Sequence, residues 1–256
     1  MKEINKLLSF LWRCWFVILA TITTLSIGFF LVFPFTFREK DFSKAYYFER
    51  CWALVIFYGA GLKLKKIEFP QTETSHPYVI ISNHTSMMDI MVMLILNKKP
   101  MVFVGKKELL NFPIFGMIFS KMNIVVDRNN PNSRSQVIRA SVKNINLKRS
   151  ICIFPEGGVP DKSIVLDKFL DGPFAIAIIN KVPLITVAIC GLKEILPYGY
   201  FSGKPGTVEV HFKQSLETSR LNKSHIPEIK ETCYDLVFQQ LKRYNWRKKR
   251  DWPVKK

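Results

Sequence analysis

A histidine and an aspartate stand five positions apart in the segment N-H-T-S-M-M-D, which contains Asn83, His84 and Asp89. On one regular helix, two residues at this spacing lie about 140° apart and do not share a face. The pair can meet only if His84 lies in the turn before the helix that carries Asp89. The carboxylate would then orient the imidazole and stabilise its protonated form, as a general base requires. A chance pairing explains the spacing equally well.

Two further segments carry groups that suit recognition of a polar substrate. Arg128 follows an apolar run in N-I-V-V-D-R-N-N, and its planar guanidinium matches a phosphate group, although a solvated loop arginine is the alternative. In C-I-F-P-E-G-G, Glu156 can accept a hydrogen bond from a substrate hydroxyl. Gly157 and Gly158 would let a substrate approach the backbone closely. Taken alone, this segment is also consistent with a turn that contains an acid by chance.

Short apolar runs precede each of these segments and predict buried strands. The predicted strands cover residues 78–82, 100–105, 123–127, 150–155, 183–189 and 207–212. The predicted helices between and after them cover residues 87–97, 111–121, 132–148, 171–180 and 226–243. This alternation predicts an α/β domain, in which a central and largely parallel sheet is covered by helices. Ligands of such sheets bind beyond the carboxyl ends of the strands, where the candidate residues fall.

The N-terminal segment predicts association with a membrane. Residues 14–37 contain no charged side chain, and as a helix they would extend about 36 Å, enough to cross a bilayer core. Basic residues flank this segment on both sides, which favours keeping both ends on one side of the membrane. A re-entrant or interfacial hairpin with residues 51–62 is therefore slightly preferred to a single span. A buried helix of a soluble protein is the remaining alternative.

The charge balance limits the classes of partner. The chain of 256 residues has 38 Lys and Arg against 20 Asp and Glu, a net charge of +18. Such a surface attracts anionic lipid or phosphorylated molecules, and no nucleic-acid-binding signature is present, so no nucleic acid partner is predicted. The five cysteines are isolated and predict neither a disulfide framework nor a metal site. The predicted division is membrane-associated helices in 1–62, the α/β domain in 63–240 and a basic tail in 241–256.

The candidate segments together resemble the glycerophospholipid acyltransferase family, in particular the 1-acyl-sn-glycerol-3-phosphate acyltransferases. That family has an N-H-x-x-x-x-D block, an arginine block, an F-P-E-G block and an apolar strand with V-P, in this order. Here the four blocks stand at residues 83–89, 126–128, 154–158 and 182–189.

The resemblance implies a membrane-bound enzyme that transfers a fatty acyl group from acyl-CoA or acyl-carrier protein to the sn-2 hydroxyl of 1-acylglycerol-3-phosphate, giving phosphatidic acid. It makes His84 the general base and Asp89 the residue that orients it. It assigns to substrate binding Asn83, Ser86, Lys106, Lys107, Arg128, Glu156, Gly157 and Gly158. Neither a metal nor a cofactor is implied besides the acyl donor. The implied location is the inner or plasma membrane, with the catalytic domain on the cytoplasmic face and anionic lipids as partners.

Two departures from the family pattern remove positive charge from the expected acceptor site. The third block usually continues F-P-E-G-T-R-S, whereas this chain has F-P-E-G-G-V-P-D-K-S, and nothing proves that Lys162 replaces the arginine. Asp171 stands where a lysine is expected in the later pattern at residues 169–172. Another lysolipid acceptor, such as a lyso-aminolipid, therefore stays open. A non-catalytic, membrane-bound basic scaffold is the alternative of a different class.

Overall fold

Seven strands form one sheet. They are β1 (Leu62–Ile67), β2 (Val79–Ser82), β3 (Met101–Lys106), β4 (Ile124–Val126), β5 (Ser150–Ile153), β6 (Leu184–Cys190) and β7 (Gly206–Leu216). The structure, a computed structural model, describes residues 2–68, 76–112, 114–127, 129–130, 132–161, 163–197 and 203–250.

The order of strands across the sheet is β1-β7-β6-β2-β5-β3-β4. Neighbouring strands are parallel, except for the antiparallel pair of β6 and β7. Every residue of β2, β5 and β6 is buried, because these central strands are covered on both faces. This burial explains their continuous apolar sequences, and the predicted α/β fold with a largely parallel sheet is confirmed.

The α-helices are α1 (Lys2–Thr23), α2 (Phe42–Gly59), α3 (Met88–Leu96), α4 (Phe115–Met122), α5 (Ser133–Asn146), α6 (Gly172–Asn180), α7 (Leu192–Ile195) and α8 (Ile226–Arg250). A π-helical segment, Thr24–Val32, and a 3-10 turn, Phe33–Phe35, continue α1 without a break. Further 3-10 turns are Glu39–Asp41, Lys107–Asn111 and Lys223–His225. The turns after β2, β3, β5 and β6 meet at one edge of the sheet, since these strands are parallel.

The first two helices form an antiparallel hairpin. The indole N–H of Trp12 donates to the carbonyl oxygen of Ala60 at 2.9 Å, just after α2 ends. The indole N–H of Trp52, in the middle of α2, donates to the hydroxyl of Thr24 at 3.0 Å. Because α1 meets the end of α2 first and its middle later, the two helices run in opposite directions.

The hairpin is attached to the α/β domain near both of its ends. The guanidinium of Arg13 donates to the carbonyl oxygen of Pro197 at 3.1 Å, beside the end of α7. At the other end, the guanidinium of Arg149 lies 3.4 Å from the centre of the Phe42 ring, which is close enough for a cation–π contact. The helix that starts at α1 therefore lies along the domain for much of its length.

The outer face of this long helix is apolar and exposed. Its exposed positions recur every three or four residues, and we call this set the outer stripe: Ile4, Leu8, Leu11, Trp15, Ile18, Ile22, Leu25 and Phe29. Among the described residues, Glu3–Phe35 is the one helix whose length and composition would suit a membrane span, and 17% of its most apolar window is buried in the protein. The spacing of the outer stripe is that of one helix face, and apolar side chains beside the stripe, such as Leu7, Val17 and Phe30, are exposed as well.

Some elements differ from the sequence-based predictions. Strand β1 was not predicted, because the sequence L-K-L-K-K-I resembles a solvated basic segment; it is an edge strand whose burial alternates only partly. The helix predicted over 111–121 begins later, at Phe115, after the 3-10 turn. The last helix, predicted to end at 243, continues to Arg250. The predicted domain boundaries stay predictions, and residues 251–256 of the basic tail lie outside the described residues.

Candidate active site

The histidine and aspartate of the first block are in contact. His84 lies in the turn between β2 and α3, and Asp89 lies in the first turn of α3. The Nδ1 atom of His84 is 2.8 Å from Oδ2 of Asp89. The predicted meeting of the two side chains across a turn is therefore confirmed.

Backbone groups of the same turn hold the aspartate in place. The N–H groups of Thr85 and Ser86 donate to Oδ2 of Asp89 at 2.6 and 2.8 Å, and Asp89 is fully buried. A carboxylate oxygen that faces two backbone N–H groups acts as an acceptor. The Nδ1 atom of His84 must therefore carry the hydrogen, which leaves Nε2 as the basic nitrogen.

The basic nitrogen is available to a substrate. No described residue forms a hydrogen bond with Nε2 of His84, and the side chain keeps 17% of its exposure. The imidazole stacks on the ring of Phe154, with the two centres 4.2 Å apart and the planes inclined by 12°. The stacking and the bond to Asp89 fix the ring from two directions, as a positioned base requires.

Glu156 joins the turn between β2 and α3, which carries His84, to a second loop. Its Oε1 accepts the backbone N–H of His84 at 2.6 Å, and its Oε2 accepts the backbone N–H of Asp167 at 2.8 Å. The side chain is nearly buried, and this burial raises the pKa of Glu156 to about 7, against the opposing effect of the two N–H groups. Gly157 follows with a φ of 76°, a left-handed conformation that glycine adopts without strain. These contacts support a positioning role, while the predicted contact of Glu156 with the acceptor stays a prediction.

Two other predicted substrate residues are engaged with backbone groups. The amide of the fully buried Asn83 donates to the carbonyl oxygen of Ile189 and accepts its N–H, both at 2.8 Å, and so ties the end of β2 to β6. The hydroxyl of Ser86 accepts the N–H of Met88 at 3.2 Å at the start of α3. These contacts support positional roles, and the predicted substrate contacts of both residues stay predictions.

Comparison with known proteins identifies this arrangement. The family model described as Acyltransferase matches residues 64–190, from β1 to the end of β6, and this range includes the His84–Asp89 pair and Glu156. The chain belongs to the acyltransferase family. The predicted family resemblance is therefore confirmed.

Curated relatives of this acyltransferase carry one common name. The chain is 29% identical over 183 residues to the 1-acyl-sn-glycerol-3-phosphate acyltransferase of Salmonella typhimurium, covering 71% of this chain and 74% of the relative. It is 25% identical over 179 residues to the human 1-acyl-sn-glycerol-3-phosphate acyltransferase beta, covering 69% of this chain and 64% of the relative. The crystal structure of the acyltransferase PlsC from Thermotoga maritima has the same fold, with a TM-score of 0.74 at 19% identity, over 93% of this chain and 97% of that one.

Positive charge lies on the β3 side of His84. Lys106, at the end of β3, places its Nζ over Gly158, where it lies 3.0 Å from the position that a Cβ atom would take. The ammonium of Lys107 is 3.0 Å from Oδ2 of Asp127, and this contact lowers the pKa of Asp127 and raises that of Lys107. The structure thus brings both lysines to the edge of the sheet that carries His84. Arg128, the predicted phosphate ligand, lies outside the described residues.

The acid that departs from the family pattern, Asp171, is paired with a lysine of another helix. Asp171 forms an ion pair with Lys230 of α8, with 2.6 Å between Oδ1 and Nζ. It therefore fastens the start of α6 to α8. Lys162, the other residue of the departures, lies outside the described residues.

Sequence reasoning missed three groups that shape the site. They are the ring of Phe154 under the imidazole, the N–H of Asp167 on Glu156, and the backbone of Ile189 on Asn83. Phe154 belongs to the third block, so its position beside Glu156 was a usable signal. The other two act through backbone atoms, which any residue type carries, and the sequence contains no signal for them.

Proposed function

We propose that this acyltransferase transfers a fatty acyl group from a thioester donor, acyl-CoA or acyl-carrier protein, to the sn-2 hydroxyl of 1-acylglycerol-3-phosphate, giving phosphatidic acid. The observation that carries the proposal is the fixed His84–Asp89 pair, with Nε2 of His84 left without a protein partner among the described residues. The names of the curated relatives support the choice of acceptor.

The reaction needs one proton acceptor and no covalent enzyme intermediate. Nε2 of His84 takes the proton of the acceptor hydroxyl while the oxygen attacks the thioester carbonyl carbon. The new C–O bond forms, the C–S bond breaks, and the imidazolium returns its proton to the leaving thiolate. Asp89 stabilises the imidazolium between these two transfers.

The acceptor phosphate fits the side of the site that carries the lysines. Lys106 ends β3 and Lys107 follows it, and both side chains are exposed at the edge where His84 lies. A phosphate held there places a neighbouring glycerol hydroxyl toward the imidazole. Gly157 and Gly158 are retained as proposed substrate residues, and a side chain at Gly158 would meet the ammonium of Lys106. Arg128 is retained as a proposed phosphate ligand on its position in the second block.

We also propose that the enzyme binds one face of a membrane rather than spanning it. The outer stripe presents about 38 Å of apolar helix surface, at 1.5 Å per residue over 25 residue steps. The opposite face of the same helix is attached to the charged α/β domain, which cannot enter the bilayer. A helix that lies on the surface with one apolar face buried suits this arrangement. The orientation toward the cytoplasm rests on the basic residues that flank the segment.

The proposal is tested by thiol release from palmitoyl-CoA and from palmitoyl-acyl-carrier protein. Detergent-purified protein is given a panel of lysolipids that includes lysophosphatidic acid and a lyso-aminolipid. Wild type should release thiol with lysophosphatidic acid, and His84→Ala should lower kcat by roughly a thousandfold because the base is lost.

His225→Ala is the matched control. His225 lies in an exposed turn before α8 and forms no contact with the site, so this variant should keep wild-type activity. Thiol release with the lyso-aminolipid but not with lysophosphatidic acid would support the proposed mechanism and show that the acceptor is a different lysolipid. Unchanged activity of His84→Ala would refute the mechanism, and a wild type that is inactive with both donors would favour the non-catalytic scaffold.

A further inference from the structure

A cavity of about 210 Å³ opens beside the turn that carries His84, which we call the catalytic turn. It lies on the side of this turn opposite Lys106 and Lys107. Its lining comes from the catalytic turn, the loop after β5, the end of β6, α7 and α8, and we call it the donor cavity. Its polar lining includes Thr85, Ser163, Lys193, Glu194 and Asn245. Thr85 is the neighbour of His84 in the chain, so the cavity reaches the catalytic turn itself.

The position of the donor cavity allows two substrates to reach His84 at the same time. Direct transfer requires the acceptor hydroxyl and the thioester carbonyl at His84 in the same complex, because the proposed mechanism has no acyl-enzyme. The acceptor phosphate occupies the side of β3 and β4 in that mechanism. Strand β2, which carries His84, lies between β5 and β6 in the sheet. The donor cavity lies on the other side of β2, toward β6, and offers a second approach to the turn that carries His84.

The lining suits a slender chain that contains amides and hydroxyls. Ser163, Thr85 and Asn245 offer groups that both donate and accept hydrogen bonds, while Ile189 and Leu241 supply apolar wall. Glu194 adds an acceptor and Lys193 a donor. The volume of about 210 Å³ is below the range of sites for drug-sized ligands, which suits an extended arm better than a complete nucleotide.

The walls of the cavity are connected to the catalytic machinery. The loop that carries Ser163 is held by the ammonium of Lys193, which donates to the carbonyl oxygen of Ile164. The same loop continues to Asp167, whose N–H binds Glu156. Glu156 also holds the N–H of His84, so one chain of contacts runs from the cavity wall to the base.

We propose that the donor cavity binds the phosphopantetheine arm, the part that acyl-CoA and acyl-carrier protein have in common. The inference rests on the proposed function for its choice of ligand class. The thioester end of the arm lies at Thr85, next to His84. The outer end leaves beside α8, whose residues from 241 to 250 carry six basic side chains in the sequence, a suitable partner for a nucleotide phosphate or an acidic carrier protein.

Binding is measured first, without turnover. The full chain in detergent is titrated by calorimetry with free coenzyme A and, separately, with 4′-phosphopantetheine. Asn245→Trp fills the cavity from α8 and should weaken binding of both ligands at least tenfold. The matched control is Asn146→Trp, the same change at an exposed position that lines a cavity at the opposite edge of the sheet, and it should bind within twofold of wild type.

Kinetics then locate the effect within the donor. Asn245→Trp should raise the KM for palmitoyl-CoA and for palmitoyl-acyl-carrier protein about tenfold. The KM for the acceptor and the rate with palmitoyl-N-acetylcysteamine, which lacks most of the arm, should stay within twofold. Ser163→Phe fills the cavity from the opposite wall and should give the same pattern, which guards against misfolding of one variant.

The possible outcomes separate the inference from the proposed function. Wild type that binds phosphopantetheine at this cavity but transfers no acyl group would refute the function and keep the inference. Wild type that transfers acyl groups while Asn245→Trp and Ser163→Phe leave donor binding unchanged would refute the inference alone. Weaker binding of coenzyme A with unchanged binding of phosphopantetheine would place the nucleotide in the cavity and would also refute the inference.

Discussion

At the scale of single residues, Asp89 acts by collecting hydrogen bonds on one oxygen. Its Oδ2 accepts hydrogen bonds from Nδ1 of His84 and from the backbone N–H groups of Thr85 and Ser86, with donor–acceptor distances of 2.8 Å or less. An ionised carboxylate satisfies all three donors together, whereas a neutral amide cannot. The geometry therefore makes the charge of Asp89, as well as its shape, a condition for a correctly oriented base.

Asp89→Asn tests this condition. The amide has nearly the same size as the carboxylate. If its NH₂ group takes the place of Oδ2, it faces hydrogen-bond donors, and if it turns away, the contact with His84 is altered. We expect the wrong tautomer of His84 and a fall in kcat of roughly a thousandfold, with the acceptor KM within threefold of wild type. Steady-state kinetics with a circular dichroism check of folding measures this, and a kcat within tenfold of wild type would contradict it.

Glu156 gives the protein a dependence of stability on pH. Burial raises its pKa to about 7, from an ordinary value of 4.5 in the unfolded chain. Between these two pH values the folded protein binds more protons than the unfolded chain, so this group lowers the free energy of unfolding as the pH rises. The change amounts to at most about 3 kcal/mol, at 1.36 kcal/mol for each unit of pKa.

Glu156→Gln removes the titration while keeping the shape. We expect the difference in free energy of unfolding, wild type minus variant, to fall as the pH rises from 4.5 to 7 and then to level off. Urea unfolding at several pH values measures it. Glu228→Gln, a change at an exposed acid on α8, is the control and should retain the wild-type slope. The same slope in Glu156→Gln as in wild type would show that Glu156 does not titrate in this range.

At the scale of elements, the long first helix has two faces with different tasks. One face holds the protein through Trp12, Arg13 and Thr24, and the other presents the outer stripe. Exposed apolar surface of this length is unusual on a soluble monomer and marks a surface that contacts lipid or protein. The proposal of membrane binding therefore depends on side chains that mostly do not pack on the α/β domain, although the indole of Trp15 also donates to the carbonyl oxygen of Gly59 at 2.9 Å.

Ile22→Gln tests the outer stripe at one of its most exposed positions, 61% accessible. If Ile22 is buried in the lipid when the protein binds, its loss should weaken binding to lipid vesicles by about 2 kcal/mol, roughly thirtyfold. Val142→Gln makes a similar change at an exposed position of α5 and should bind vesicles as wild type does. Sedimentation with vesicles measures both variants, and equal binding of Ile22→Gln and wild type would exclude the stripe from the membrane contact.

The elements also show what the sequence could predict. The strands β2 and β5 next to the site were predictable because strands buried on both faces are continuously apolar, and the buried first half of β3 has the same pattern. The His84–Asp89 contact was predictable because only a turn before a helix allows it. Strand β1 was not predictable, since an edge strand with three lysines has little apolar signal. The hydrogen bonds of the Asn83 and Glu156 side chains to backbone groups were also not predictable, because the partner residues lie far away in the sequence.

At the scale of the whole molecule, charge and apolar surface act on the same encounter. In the proposed membrane binding, the net charge of +18 would attract the protein to anionic lipid from a distance, whereas the outer stripe would act only on contact. The first effect is screened by salt, with a Debye length of about 10 Å at 0.1 M and about 3 Å at 1 M, while the second is not. The two contributions can therefore be separated in one experiment.

We expect vesicles with anionic lipid to bind the protein much more tightly than zwitterionic vesicles at 0.05 M salt, since each basic residue near the surface contributes about 1 kcal/mol. At 1 M salt the two kinds of vesicle should bind alike, at the level that the outer stripe supports. Ile22→Gln should lower this residual binding and leave the salt-dependent part unchanged. Binding that vanishes completely at high salt would show that charge alone holds the enzyme at the membrane, and the long apolar face of the first helix would then need a different partner.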